Sequence, residues 1–169
     1  MTEHPGPPAR PLDLMKLLET LARHGVEHVV VGGIAVQVHG HRRTTKDLDL
    51  IPSPVAGNHE RLAGALDELD AQALSSGRGG RGMATDAEQL RIAPVVPPLT
   101  THHGEVHILN EPKGAAPYDD LRTRALVLDL DGLEVAVVGL DDLIRMKRAS
   151  GRPEDLEDIA VLVAVERGE

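Results

Sequence analysis

The chain has 169 residues, a formal net charge of −9 at neutral pH, no cysteine, one tyrosine and neither phenylalanine nor tryptophan. This length fits one domain over residues 11–169, ending in helices at 140–166, after a disordered polar lead over residues 1–10. The composition excludes disulfides and thiolate chemistry, argues against a broad nucleic-acid surface, and offers neither a signal peptide nor a membrane-length apolar run, so a cytoplasmic protein with no membrane partner is expected.

Leu14, Leu17, Leu18 and Leu21 recur at helical spacing between Pro11 and Gly25, which predicts a helix over 11–24. Residues 27–31 form a short apolar strand, and Gly32 and Gly33 turn it into a helix over 33–39. A second strand over 46–51 carries Asp47-Leu48-Asp49 and closes at Pro52 and Pro54. Residues 57–74 predict an amphipathic helix with Leu62, Leu66 and Leu69 inward, and the glycine-rich 75–86 predicts a mobile loop. Weaker strands are expected at 88–92 and 95–101, interrupted by Pro94, Pro97 and Pro98. A firmer strand at 105–109 leads to a turn at Pro112 and Gly114, followed by a short helix at 118–125. Asp131-Gly132 between apolar runs predicts a hairpin of 126–130 with 133–138. Helices at 140–149 and 153–166 follow, separated by Gly151, with Pro153 at the start of the second. Early alternation of helices and strands and the late hairpin predict an α/β (α+β) fold, a mixed β-sheet flanked by helices.

The densest chemistry lies in VVVGGIAVQVHGHRRTTKDLDLI. Side chains alternate along a strand, so Asp47 and Asp49 share one face and Leu48 and Leu50 the other. Paired carboxylates suit a hard divalent cation, and a glycine turn lets backbone approach a phosphate. Thirteen residues separate Gly33 from Asp47, room for one short helix and a return to the sheet. His41, Arg42, Arg43 and Lys46 place local positive charge just before the aspartates despite the acidic total. Asp129-x-Asp131 repeats the text but abuts Gly132, which marks a turn residue. His102, His103 and His107 lie close together without a recognised zinc spacing, and no P-loop pattern occurs.

Gly-Gly, a helix and then Asp-x-Asp flanked by aliphatics resembles the DNA polymerase β-like nucleotidyltransferase superfamily. Together with DLIRMKRASGRPEDLEDIAVL near the end, the chain resembles the bacterial AbiEii-type and minimal nucleotidyltransferases of toxin–antitoxin systems, over most of residues 12–165. The resemblance implies Mg2+ (or Mn2+), a nucleoside triphosphate (NTP), and transfer of a nucleoside monophosphate (NMP) to a protein or tRNA acceptor, with a cognate toxin or antitoxin as partner. By position, Asp47 and Asp49 are implied metal ligands and catalytic residues. Gly32, Gly33, Arg43, Lys46, Lys147 and Asp155 are implied nucleotide contacts, Lys147 with a catalytic part.

The chain departs from the pattern at the third carboxylate, expected in GEVHIL, where His107 stands. Histidine can act as a base near neutrality but is a poor magnesium ligand. Either His107 takes the catalytic role, or Glu105, two residues earlier on the same face, supplies the missing metal ligand. A further alternative is a catalytically impaired nucleotide- or partner-binding module that retains the fold. For Lys147 the competing reading is a solvated helix end, and for Asp155 stabilisation of a helix N-terminus.

Overall fold

A computed structural model describes residues 10–73 and 85–169. Residues 1–9 of the expected lead and 75–84 of the expected glycine-rich loop lie outside the described residues.

The strands are β1 (His28–Val31), β2 (Asp47–Pro52), β3 (Gln72–Ala73), β4 (Leu99–Thr101), β5 (Gly104–Ile108), β6 (Leu126–Leu130) and β7 (Leu133–Val137). Among the described residues the helices are α1 (Leu14–Arg23), α2 (Gly32–Val38), α3 (Asn58–Glu68), α4 (Ala87–Ile92), α5 (Tyr118–Arg124), α6 (Leu140–Ser150) and α7 (Pro153–Glu166). The strands form one seven-stranded mixed sheet in the order β3-β4-β5-β2-β1-β7-β6.

The aliphatic centre of the sheet follows from its pairing. β2 runs antiparallel to β1 and parallel to β5, and β1 runs parallel to β7. Central strands bury both faces, so they need side chains without polar atoms. Val29, Val30, Leu48, Leu50 and Ile108 accordingly have no exposed surface. α1 contributes Leu17, Leu18 and Leu21 to the same core, and α3 contributes Leu62, Ala65 and Leu66. The side chain of Asp13 accepts the Lys16 backbone N–H at 3.2 Å and so caps α1.

The expected hairpin is present. Asp131 and Gly132 both take left-handed φ, 53° and 86°, and the Gly132 N–H donates to Asp129 Oδ1 at 2.7 Å. Three expectations need correction. Residues 88–92 are not a strand but most of α4, started by Asp86, whose side chain accepts from the amides of Glu88 and Gln89. The helix expected to reach residue 74 ends at Glu68, because Asp70 adopts φ 53° and turns the chain back toward the sheet. Of the strand expected at 95–101, only Leu99–Thr101 pairs continuously, while Val95 makes a single bridge to Leu109. Pro97 and Pro98 lack the N–H a ladder requires.

Candidate active site

The site begins where β1 turns into α2. Gly32 has φ +66°, and a β-carbon there would lie 1.9 Å from Asp49 Oδ2. A β-carbon on Gly33 would lie 2.6 Å from Thr45 Oγ1. The two glycines therefore make room for side chains of the returning strand and its lead-in, as well as exposing backbone. Gly32→Ala is expected to lower the melting temperature through left-handed strain of about 1–2 kcal/mol together with displacement of Asp49. Gly33→Ala, with ordinary φ, should cost less. Thermal melts of both variants check this, and a Gly32→Ala protein melting like wild type would refute it.

Parallel register sets Asp47 beside Glu105 and Asp49 beside His107. All four side chains occupy the same half-buried face, while Leu48 and Val106 between them point into the core. His107 bridges the acids: its Nδ1 lies 2.9 Å from Asp49 Oδ1, and its Nε2 lies 3.4 Å from Glu105 Oε2 and 3.8 Å from Asp47 Oδ2. The hydrogen bond to Asp49, opposed by burial and aided by the charges of Asp49 and Asp47, pushes the imidazole up to about 9. Burial, then the charge of Asp49, raises Asp47 above the ordinary carboxylate range. His107 therefore carries a proton at neutral pH in this arrangement, which weakens the expectation that it serves as a base.

Ligand atoms of Asp47, Glu105 and His107 lie within 4.8 Å of one another, the one such group of histidine and acidic residues among the described residues. With Asp49 alongside, the donor set is three carboxylates and an imidazole. Carboxylate oxygens suit Mg2+ and Mn2+, so these residues fit a divalent cation. His102 instead pairs with Asp70 at 3.1 Å, and Asp129 with the hairpin turn.

Two adjoining cavities open over these groups. One, of about 290 Å³, is polar and lined by Gly32, Gly33, Arg43, Thr44, Thr45, Lys46, Asp47, Asp49, His107, Lys147, Arg152 and Glu154. The other, of about 460 Å³, is mainly aliphatic: Val31, Val95, Leu109, Pro112, Leu143 and Met146 line it with Lys113 and Ser150. Gly32, Asp49, His107, Lys147 and Arg152 border both. Arg42 is exposed and lines neither.

Lys147 is not a solvated helix end. It is 7% exposed, with Nζ 3.1 Å from Asp155 Oδ1 and 3.0 Å from Asp158 Oδ2. Asp155, wholly buried, also accepts the Arg152 backbone N–H at 3.1 Å and Arg152 Nε at 2.9 Å. Its oxygens are thus committed to Arg152 and Lys147, in keeping with helix-start stabilisation. Asp158, 1% exposed, reaches back across the fold to His41 Nδ1 at 3.1 Å and Arg43 Nε at 2.9 Å.

Burial works against ionising both aspartates, yet each sits below the ordinary carboxylate range. Hydrogen bonds from Arg152, Ser150 and Lys147 outweigh burial at Asp155, and those from Lys147 and Arg43 do so at Asp158. A depressed folded-state pKa stabilises the protein above the unfolded value near 4 and is lost as pH falls below it. Denaturant melts are therefore expected to show falling stability below about pH 4. Asp155→Asn combined with Asp158→Asn should flatten that decline, and an unchanged slope in the double variant would refute the assignment.

Sequence reasoning overlooked Thr45, Lys113, Ser150 and Arg152. A usable signal existed for one set: Leu143, Met146, Lys147 and Ser150 fall at i, i+3, i+4 and i+7, a single helix face.

A sequence search of curated proteins finds no match. Solved structures do resemble the fold. A candidate nucleotidyltransferase of Thermotoga maritima aligns with a TM-score of 0.55 and 15% identity, covering 89% of each chain. An antigenic nucleotidyltransferase-like protein of Paracoccidioides brasiliensis gives a TM-score of 0.56 and 16% identity over 92% of this chain and 78% of that one. ANT(2'')-Ia, solved with adenylyl-2''-tobramycin, gives 0.56 and 11% identity over 90% and 86%. At such identities the likeness concerns the fold alone. Sequence gives the closer relation: residues 11–166 match the family described as nucleotidyltransferase of unknown function (DUF6036), and the chain belongs to that family.

Proposed function

We propose that this chain transfers an NMP from an NTP to an acceptor hydroxyl, in a reaction that depends on Mg2+ or Mn2+. The observation that carries the reading is Asp49, set where a cavity bearing Arg43, Lys46 and Arg152 meets an aliphatic one, with Asp47 and Glu105 beside it on the same half-buried face. Asp47, Asp49 and Glu105 would hold the cation. When bound, it supplies Lewis-acid stabilisation of the charge that develops on the phosphate oxygens.

The side chains divide the remaining work. Arg43, Lys46 and Arg152 suit the triphosphate, with Arg43 held in place by Asp158 and Arg152 by Asp155. Backbone at Gly32 and Gly33 borders the same cavity. Lys147 and Asp155 support this cationic wall from beneath. The aliphatic cavity beside Asp49 suits the nucleoside or the acceptor. In the transfer, the acceptor oxygen bonds to the α-phosphorus as its bond to the leaving pyrophosphate breaks. Glu105 would take the hydroxyl proton and pass it to solvent.

The net charge of −9 favours a protein or small-molecule acceptor over a tRNA end. ANT(2'')-Ia, bound to an adenylylated aminoglycoside, lends the small molecule some weight. A toxin–antitoxin role follows from the resemblance to AbiEii-type proteins, and a pull-down of the cognate partner from the native host tests it.

The second reading, a fold-retaining nucleotide- or partner-binding module, draws on one observation: an imidazole, His107, beside Asp49, where a carboxylate is expected. Incubation with labelled NTPs and either cation separates the two. Label transfer lost in Asp49→Ala supports the enzyme, and nucleotide binding without turnover across several acceptors supports the module.

A further inference from the structure

We propose that Nε2 of His107 is itself a metal ligand, and that the site consequently takes Mn2+ in preference to Mg2+. The inference rests on the metal-dependent reading above and narrows which cation it uses.

The orientation of the ring carries the argument. Nδ1 faces Asp49 Oδ1 at 2.9 Å, which turns Nε2 toward Glu105 Oε2 at 3.4 Å and Asp47 Oδ2 at 3.8 Å. A metal-bound imidazole characteristically donates its other N–H to a carboxylate, which fixes the tautomer and the ring plane. Asp49 occupies that rear position here, so His107 takes the place among the ligands that the transferase reading gave to Asp49, beside Asp47 and Glu105. Ligand atoms in neighbouring positions about 2.1 Å from one octahedral ion lie about 3 Å apart. The Nε2-to-oxygen separations exceed that by less than an ångström, so rotation of the Asp47 and Glu105 side chains, with the strands in place, brings the three atoms onto one cation that replaces the Nε2 proton. The strands are well placed to stay still: β2 and β5 pair directly, and Leu48 and Val106 lock them into the core.

The chemistry of the donors then selects the ion. Mg2+ prefers an all-oxygen shell and near-ideal octahedral geometry. An imidazole nitrogen raises affinity for first-row transition cations instead. A site that must also accept triphosphate oxygens needs open positions, which a tetrahedral zinc centre closed by protein ligands would lack. Mn2+ meets both demands: it accepts nitrogen beside carboxylates and keeps six positions.

Electron paramagnetic resonance on the purified full chain, with Mn2+ and no nucleotide, tests this apart from catalysis. Mn2+ is expected to bind at least about tenfold more tightly than Mg2+ in competition, with nitrogen coupling in the pulsed spectrum that changes on 15N-histidine labelling. His107→Asp should abolish the coupling and reduce the Mn2+ preference by about tenfold. Bound Mn2+ without nitrogen coupling, or Mg2+ competing on equal terms in wild type, overturns the proposal. The wild-type spectrum decides the matter even where His107→Asp fails to fold. Nitrogen coupling and Mn2+ preference without transfer from any NTP would uphold this ligation and sink the transferase reading. Transfer with Mg2+ from a site showing no coupling would do the reverse.

Discussion

Lys147→Met is expected to destabilise the fold by about 3–5 kcal/mol, because it removes one partner from a buried ionic network and leaves the others uncompensated. Methionine matches the length and much of the volume of lysine, so little of the loss comes from a cavity. The loss is electrostatic: Asp155 and Asp158 are 0% and 1% exposed, and both direct an oxygen at Nζ. Arg152, Arg43 and His41 remain as partners, but Arg152 reaches only Asp155, and Arg43 and His41 only Asp158, so none bridges the two carboxylates as Nζ does. For a chain of this size the change corresponds to a drop of roughly 10 °C in melting temperature. Denaturant unfolding of Lys147→Met measures it directly. Adding Asp155→Asn and Asp158→Asn should restore part of the loss, since neutral amides tolerate burial better than unpaired carboxylates. A cost below about 1 kcal/mol would mean that water or the flanking arginines already neutralise the pair.

The second large effect concerns chemistry with little change in stability. Asp49→Ala is expected to lower NMP transfer by about three orders of magnitude, equivalent to ~4 kcal/mol of transition-state stabilisation. The Asp49 side chain lines both cavities, accepts from His107 and sits in the notch left open by Gly32. Removing it takes a carboxylate from the acidic face and frees the imidazole at once. The fold should persist, because the residue lies half-buried on the face opposite the core. Single-turnover assays with labelled NTP, run beside a thermal melt, separate the two quantities. Retention of more than a tenth of wild-type transfer would place the chemistry elsewhere.

The central part of this arrangement was legible because local signals agreed. The apolar run at 28–31, the glycine pair and the alternating Asp-Leu-Asp-Leu each call for one backbone state, and the sheet places the aspartates on a shared face as the alternation requires. The Asp131-Gly132 hairpin was readable for the same reason, a two-residue turn whose left-handed φ only a few residues accept. α4 was misread because Leu90 and Ile92 form an apolar fragment too short for periodicity to arbitrate. The decisive signal was Asp86, a capping residue one position ahead of the helix. The role of Lys147 was hidden for a different reason. Its meaning comes from Asp158, and that of Asp158 from Arg43, 115 residues away. No local pattern encodes an ion pair across that distance. The surroundings of His107 were equally invisible, since they depend on which acids the β2–β5 register sets around the ring.

The link from Asp158 to Arg43 also bears on biosynthesis. A nascent chain is made amino end first, so the glycine turn, the aspartate strand and β5 are translated before α7. Until residue 158 clears the exit tunnel, Arg43 lacks its buried anchor and the cationic wall has no foundation. Partial translation products would thus carry the acidic face without the buried anchor for Arg43 beside it, and under the proposed function transfer would be withheld until α7 docks.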